Sequence, residues 1–202
     1  KQTTTQPVEM YEFEFDKDLK DNGFVIVYGK RGSGKTSLTR LFTQYVRDAF
    51  SVQWVFFIGT EEVKKLYRSV SHPYYVRDPT RDALEELLEL QKMKIQICDQ
   101  YGIEFPKEWE LHIVCDDCAT FDWFMRSKHV KEIASNGRNC HITFYAIVQR
   151  FEQLEPTTRE NPSTFIGFET EYQKAIASIN GYYASSMAKD RFQDLYLETT
   201  AD

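Results

Sequence analysis

An apolar run, a glycine-rich turn and an amphipathic segment follow one another without a gap from Phe24 to Val46. Phe24, Val25, Ile26, Val27 and Tyr28 are apolar and β-favouring, as in a strand buried on both faces. Gly29-Lys30-Arg31-Gly32-Ser33-Gly34-Lys35-Thr36 then match G-x-x-x-x-G-K-[ST]. Beyond it, Leu38, Leu41, Phe42 and Tyr45 fall on one predicted helical face. A strand that passes through a glycine turn directly into a helix confines the chain to folds in which parallel strands alternate with helices.

The turn has a definite chemistry. Gly29, Gly32 and Gly34 can take backbone angles closed to other residues, so successive N–H groups can converge on one anion. The helix that follows adds the positive end of its dipole. Lys35 is the expected β/γ-phosphate contact, and the Thr36 hydroxyl the expected Mg²⁺ ligand. Lys30, Arg31, Ser33 and Ser37 complete the predicted nucleotide-binding set, with ATP and Mg²⁺ as the expected cofactors.

With 202 residues the chain is long enough for one domain, residues 1–202, around a sizeable core, and residues 1–7 read as a loose polar tail. Hydrophobic residues make up 42%, which excludes a disordered chain. No apolar run reaches the length of a membrane span, so direct membrane insertion is not expected. The net charge of −6 means that any nucleic-acid contact must come from a local basic face. Lys64, Lys65 and Arg68 form one such cluster, and Arg126, Lys128 and Lys131 another. Both also fit solvated helix faces. The four cysteines include Cys115-x-x-Cys118, but no second pair has zinc-like spacing, so these read as small core residues in a reducing compartment.

Further strands are predicted over residues 8–15, 53–58, 72–76, 110–115, 140–148 and 163–168, with a turn at 21–23. Helices are predicted over 61–68, from 80 to about 101, over 125–135 and over 171–187. The long one carries Leu84, Leu87, Leu88, Gln91, Ile95 and Cys98 on one stripe. Asn136-Gly137 is the expected stop of the next, while 156–161 is a short turn or helix and 191–197 carries no clear pattern. Strands alternating with helices imply a mostly parallel central sheet with helices on both faces.

A second motif completes a site. Leu111-His112-Ile113-Val114-Cys115 is an apolar strand ending in Asp116-Asp117. In open α/β sheets ligands collect at the carboxyl ends of strands. Asp116 is therefore the predicted Mg²⁺ ligand, and Asp117 the group that orients or deprotonates an attacking water. Gln149 ends the strand of residues 140–148; its amide either meets the γ-phosphate or the water, or simply starts a loop.

Taken together, Gly29 to Thr36, Ile113 to Cys118, the run Ser135-Asn136-Gly137-Arg138-Asn139-Cys140-His141-Ile142-Thr143, Val148-Gln149 and Thr158-Arg159-Glu160-Asn161 resemble the genome-packaging ATPases of large DNA viruses, poxvirus-like, within the FtsK–HerA superfamily. The Asn-Gly-Arg run before a buried strand ending in Gln is the most discriminating piece. The resemblance implies a P-loop NTPase fold of the RecA/ASCE type, with the Gln149 strand between the loop strand and the Asp116 strand. It implies a homo-oligomeric ring, pentamer or hexamer, that hydrolyses ATP to move double-stranded DNA into a capsid, with a capsid or portal-vertex partner, in the virion or at the assembly site in the host cytoplasm. It assigns Lys35 and Thr36 to phosphate and Mg²⁺, Asp116 to Mg²⁺, Asp117 to the water and Gln149 to γ-phosphate sensing. An arginine finger from a neighbouring subunit is Arg159 or Arg138, with Arg159 preferred.

Other nucleotide chemistries fit less well. A GTPase would need an Asn-Lys-x-Asp segment, which the chain lacks. A small-molecule kinase would need an arginine-rich lid, for which Arg77 and Arg81 are a thin basis. A ParA-like partition ATPase has a lysine where Lys30 stands, but Arg31 replaces the glycine beside it. A protein whose ATP only stabilises an oligomer would need neither Asp117 nor Gln149.

Overall fold

The computed structural model describes residues 14, 22–68, 71–72, 75–118, 121–170 and 172–200. The strand expected over 8–15 lies, apart from Glu14, outside these residues. Strands β1 (Phe24–Tyr28), β2 (Trp54–Gly59), β3 (Val76–Arg77), β4 (Leu111–Asp116), β5 (Ile142–Val148) and β6 (Thr164–Gly167) form one sheet in the order β3-β2-β4-β5-β1-β6. Every pairing is parallel. The Gln149 strand does lie between the loop strand and the Asp116 strand, as expected.

All residues of β1, β4 and β5 are buried. Alternate side chains feed two cores, since successive residues of a strand point to opposite faces. Ile26, Ile113, Cys115 and Phe144 pack with helices α3 (Arg81–Tyr101), α5 (Lys128–Asn136) and α7 (Gln173–Tyr183). Val25, Val27, Val114 and Tyr145 pack with α1 (Lys35–Phe50) and α2 (Glu61–Arg68). Each fully buried aliphatic side chain contributes about 1.5–3 kcal/mol, so the central strands are the firmest part of the molecule.

Helix α1 does not bury the predicted stripe. Leu41 is 59% exposed, Leu38 and Tyr45 only half-buried, and Thr39, Phe42, Thr43 and Val46 are inside. The threonines tolerate burial because their hydroxyls donate to the Lys35 and Arg40 carbonyls at 2.9 and 3.0 Å. In α3, capped by Thr80 accepting from Ala83 N–H and stopped by Gly102 at φ 61°, Lys94 rather than Ile95 is buried. Its ammonium donates to the Gln91 side chain and the Trp109 carbonyl and lies 3.9 Å from the Trp54 ring centre. Burial lowers its pKa to about 8.

The helix expected over 125–135 is α5, which starts three residues later, capped by Ser127 accepting from Val130 N–H, and a separate short helix α4 (Asp122–Met125) precedes it. Gly137 does follow α5, but as a right-handed residue at φ −52°. The chain turns through a 3₁₀ segment, Gly137–Cys140, and reverses at His141, φ 54°, whose ring stacks on Phe105. That reversal takes Cys140 out of the predicted strand. A short helix α6 (Pro156–Arg159) follows β5, and residues 191–197 belong to helix α8 (Lys189–Thr200). No helix among the described residues is long and apolar enough to cross a membrane.

Candidate active site

The carboxyl ends of β1, β4 and β5 open into one cavity of about 790 Å³, lined by Lys35, Thr36, Asp116, Asp117 and Gln149 among others. The loop supplies one wall. Gly32 and Gly34 have φ of 80° and 94°, left-handed values that let the chain enter α1 directly. No side chain caps α1, so its first N–H groups, which have no partners within the helix, face the loop. The Ser33 hydroxyl is buried and has no hydrogen-bond partner among the described residues. Lys35 curls back across the loop and donates to the Gly29 and Lys30 carbonyls at 2.8 and 2.6 Å. Burial lowers its pKa, against the pull of Asp116 and Asp117. Lys30 pairs with Glu169 at 2.7 Å. Donors without partners, a cation and an uncapped helix end fit a polyphosphate.

The opposite wall is the end of β4. The Thr36 hydroxyl donates to Asp116 Oδ2 at 2.8 Å, which joins the two sequence motifs directly. Asp116 is 3% exposed. Burial raises its pKa, while the hydrogen bonds from Thr36 and Tyr67 oppose that rise. A hydroxyl and a carboxylate side by side form the hard oxygen pair that suits Mg²⁺.

Asp117 turns out of the strand at φ 51°, a conformation aspartate tolerates better than most residues. Its Oδ1 accepts from Gln149 Nε2 at 2.9 Å. The amide at the end of β5 and the second acid at the end of β4 are therefore partners. Gln153 stands behind them, its side-chain oxygen accepting from the Gln149 and Arg150 N–H groups at 3.3 Å each.

The two candidate finger arginines lie elsewhere within the chain. Arg159 donates from Nε to the Leu154 carbonyl at 2.8 Å, its guanidinium 5.4 Å from the Phe151 ring centre and 5.8 Å from that of Tyr182. Arg138 is exposed and lines a separate 260 Å³ cavity with Phe24 and Ser163, at the amino ends of the strands. The basic clusters are largely engaged. Lys64 is buried and pairs with Glu61 and Asp78, Arg68 with Glu61, and Lys131 with Glu155. Lys65 and Lys128 stay exposed. Arg126 lines the nucleotide cavity and donates to the Glu152 carbonyl at 3.0 Å. All four cysteines are free thiols, with Cys115 and Cys118 in the core.

Tyr67 and Gln153 were missed by sequence reasoning. Gln153 sits four residues after Gln149, a spacing that carries a signal only once a tight turn is known. Tyr67 read as an ordinary residue of a helix.

A parallel sheet with a glycine loop after β1, two acids at the end of β4 and a strand between β1 and β4 defines a P-loop NTPase. The chain belongs to the family described as Poxvirus A32 protein, which it matches over residues 10–186. Among solved structures it is similar to the genome packaging NTPase B204 of Sulfolobus turreted icosahedral virus 2 in complex with AMP, at TM-score 0.59 and 17% identity over 85% of this chain and 87% of that one. It is also similar to the cytoplasmic domain of the type VII secretion ATPase EccC of Thermomonospora curvata, at TM-score 0.61 and 14% identity over 85% of this chain and 22% of that one. The cytoplasmic domain of EssC matches at TM-score 0.60 and 15% identity over 83% and 37%. None of the curated proteins compared with the sequence matches it.

Proposed function

We propose that this chain is the ATP-hydrolysing motor of viral genome packaging, its single domain working as a subunit of a homo-oligomeric ring that moves double-stranded DNA. The observation that carries the reading is the 2.8 Å contact between Thr36 and Asp116, which brings the phosphate loop and the acidic strand end into one site. Membership of the Poxvirus A32 family and the fold shared with a genome packaging NTPase support the viral role.

The residues divide the work. The loop N–H groups, Ser33 and Lys35 bind the phosphates, and Ser37 follows on the first turn of α1. Thr36 and Asp116 would hold Mg²⁺, which neutralises charge on the β- and γ-phosphates when bound. Gln149 holds one oxygen of Asp117, and the other accepts a proton from water. The water oxygen bonds to the γ-phosphorus, the bond to the ADP oxygen breaks, and the proton leaves through Asp117. Arg159 is the preferred finger toward a neighbouring subunit and Arg138 the alternative. Arg159 ends α6, where its Nε bond to the Leu154 carbonyl anchors it to the turn after β5. DNA, a capsid or portal-vertex protein and a viral assembly site in the host cytoplasm complete the proposal.

Steady-state phosphate release with and without duplex DNA tests it. Stimulation by DNA, lost in Lys35→Ala, is the expected result. Turnover that depends on an added acceptor would instead make the chain a kinase, and nucleotide binding without turnover would make it a scaffold.

A further inference from the structure

Asp116 Oδ2 has two hydrogen-bond donors, and only Thr36 belongs to a sequence motif. The other is Tyr67, near the end of α2, whose hydroxyl donates at 2.9 Å. Tyr67 is completely buried, and its ring stacks on Phe57 with centroids 4.2 Å apart and planes at 19°. Phenylalanine would serve that packing equally well, and a buried hydroxyl is tolerated only with a partner. Here the partner is the buried carboxylate of the nucleotide site.

Helix α2 is held where this contact needs it. Gly59 ends β2 in register with Asp116. A Cβ on Gly59 would lie 2.5 Å from the Asp116 carbonyl oxygen and 2.9 Å from Val63 Cγ1, so glycine alone lets α2 approach this closely. Lys64, from the middle of the same helix, reaches Glu61 and Asp78. Two donors from different helices on one oxygen define the orientation of the carboxylate. Without Tyr67 its remaining tether would be Thr36, itself a candidate metal ligand.

We propose that Tyr67 is a positioning residue for the metal half of the site, holding Asp116 in the orientation that a divalent cation bound with the triphosphate requires. This rests on the ATPase reading above. The test is Tyr67→Phe, which removes one oxygen and keeps the ring, with folding checked by thermal unfolding. MgCl₂ is titrated against the protein with a fluorescent ATP analogue, mant-ATP, and affinity for the same analogue is measured in EDTA. The half-saturating Mg²⁺ concentration rises about tenfold, in the range for loss of a group that orients a ligand, while affinity in EDTA stays within about twofold. Phe57→Leu, which loosens the ring packing and keeps the hydroxyl, lowers the melting temperature and leaves the Mg²⁺ requirement within about twofold. A Tyr67→Phe protein with an unaltered Mg²⁺ requirement, or an equal rise in Phe57→Leu, overturns the proposal. Absence of Mg²⁺-dependent hydrolysis by the parent chain overturns the ATPase reading instead.

Discussion

The metal half and the water half of the site are built on opposite plans. Asp116 is the last residue of β4, buried in the sheet, and takes hydrogen bonds from two helices that pack on it. Asp117, one residue later, is half-buried, out of the strand in a left-handed conformation, and held by an amide on the loop after β5. One carboxylate is fixed by the core, while its neighbour is held by one hydrogen bond between two segments that follow the strand ends. If the proposed ring forms, a neighbouring subunit would meet the second arrangement rather than the first, and hydrolysis rather than metal binding would depend on assembly.

Substitutions can break or sharpen this contrast. The largest effect is expected from Lys35→Ala, which removes the phosphate cation common to both halves. Turnover should fall at least ~10³-fold, with nucleotide affinity falling as well, as read by phosphate release and mant-ATP binding. Asp117→Asn should lower kcat by ~10²–10⁴-fold and leave Mg²⁺–nucleotide affinity within about twofold. Equal losses of binding and turnover there would erase the distinction between the halves. Arg159→Ala should give a turnover defect that subunits with an intact arginine rescue in mixed oligomers. A defect without rescue moves the finger to Arg138 or makes Arg159 a packing residue.

Asp116→Asn should abolish metal-dependent turnover yet raise the melting temperature by a few degrees at neutral pH. Burial raises the Asp116 pKa, so the folded chain holds that proton more tightly than the unfolded chain. Its contribution to stability is present at acid pH and lost as pH rises through the raised value. The gain in Asp116→Asn should therefore vanish in acid. The smallest effect is expected at the far end of the sheet. The Lys94 pKa of about 8 lies below its unfolded value, so parent stability rises with pH from about 8 to 10. Lys94→Met should flatten that rise and leave Mg²⁺ binding unaltered. A change in Mg²⁺ binding would mean that the two ends of the sheet are coupled.

Much of the site could be read from the chain because its chemistry is local. Eight consecutive residues form the loop, and two acids end an apolar strand. The pairing of Gln149 with Asp117 needed the strand order, since the two are far apart in sequence. The failure at α1 has a different origin. Periodicity assumes that apolar residues decide which face a helix buries. Here Lys35 and Thr36 must face the strand ends, and that requirement sets the rotation of the whole helix. Thr39 and Thr43 consequently go inside and Leu41 outside. Lys94 displaced Ile95 for a comparable reason, since an aromatic ring and a carbonyl lay within its reach. Tyr67 was illegible because its hydroxyl has meaning only once α2 is seen lying over Asp116.

The threonine–aspartate contact spans three adjacent strands, β1, β5 and β4, so the contact itself cannot form on a fragment of the sheet that lacks any of them. Nucleotide affinity is consequently a gauge of complete folding. At a hundred times its dissociation constant a ligand that binds only the finished domain adds about 2.7 kcal/mol to its stability. In an ATP-rich medium this linkage favours chains whose sheet is complete over those that are only partly folded.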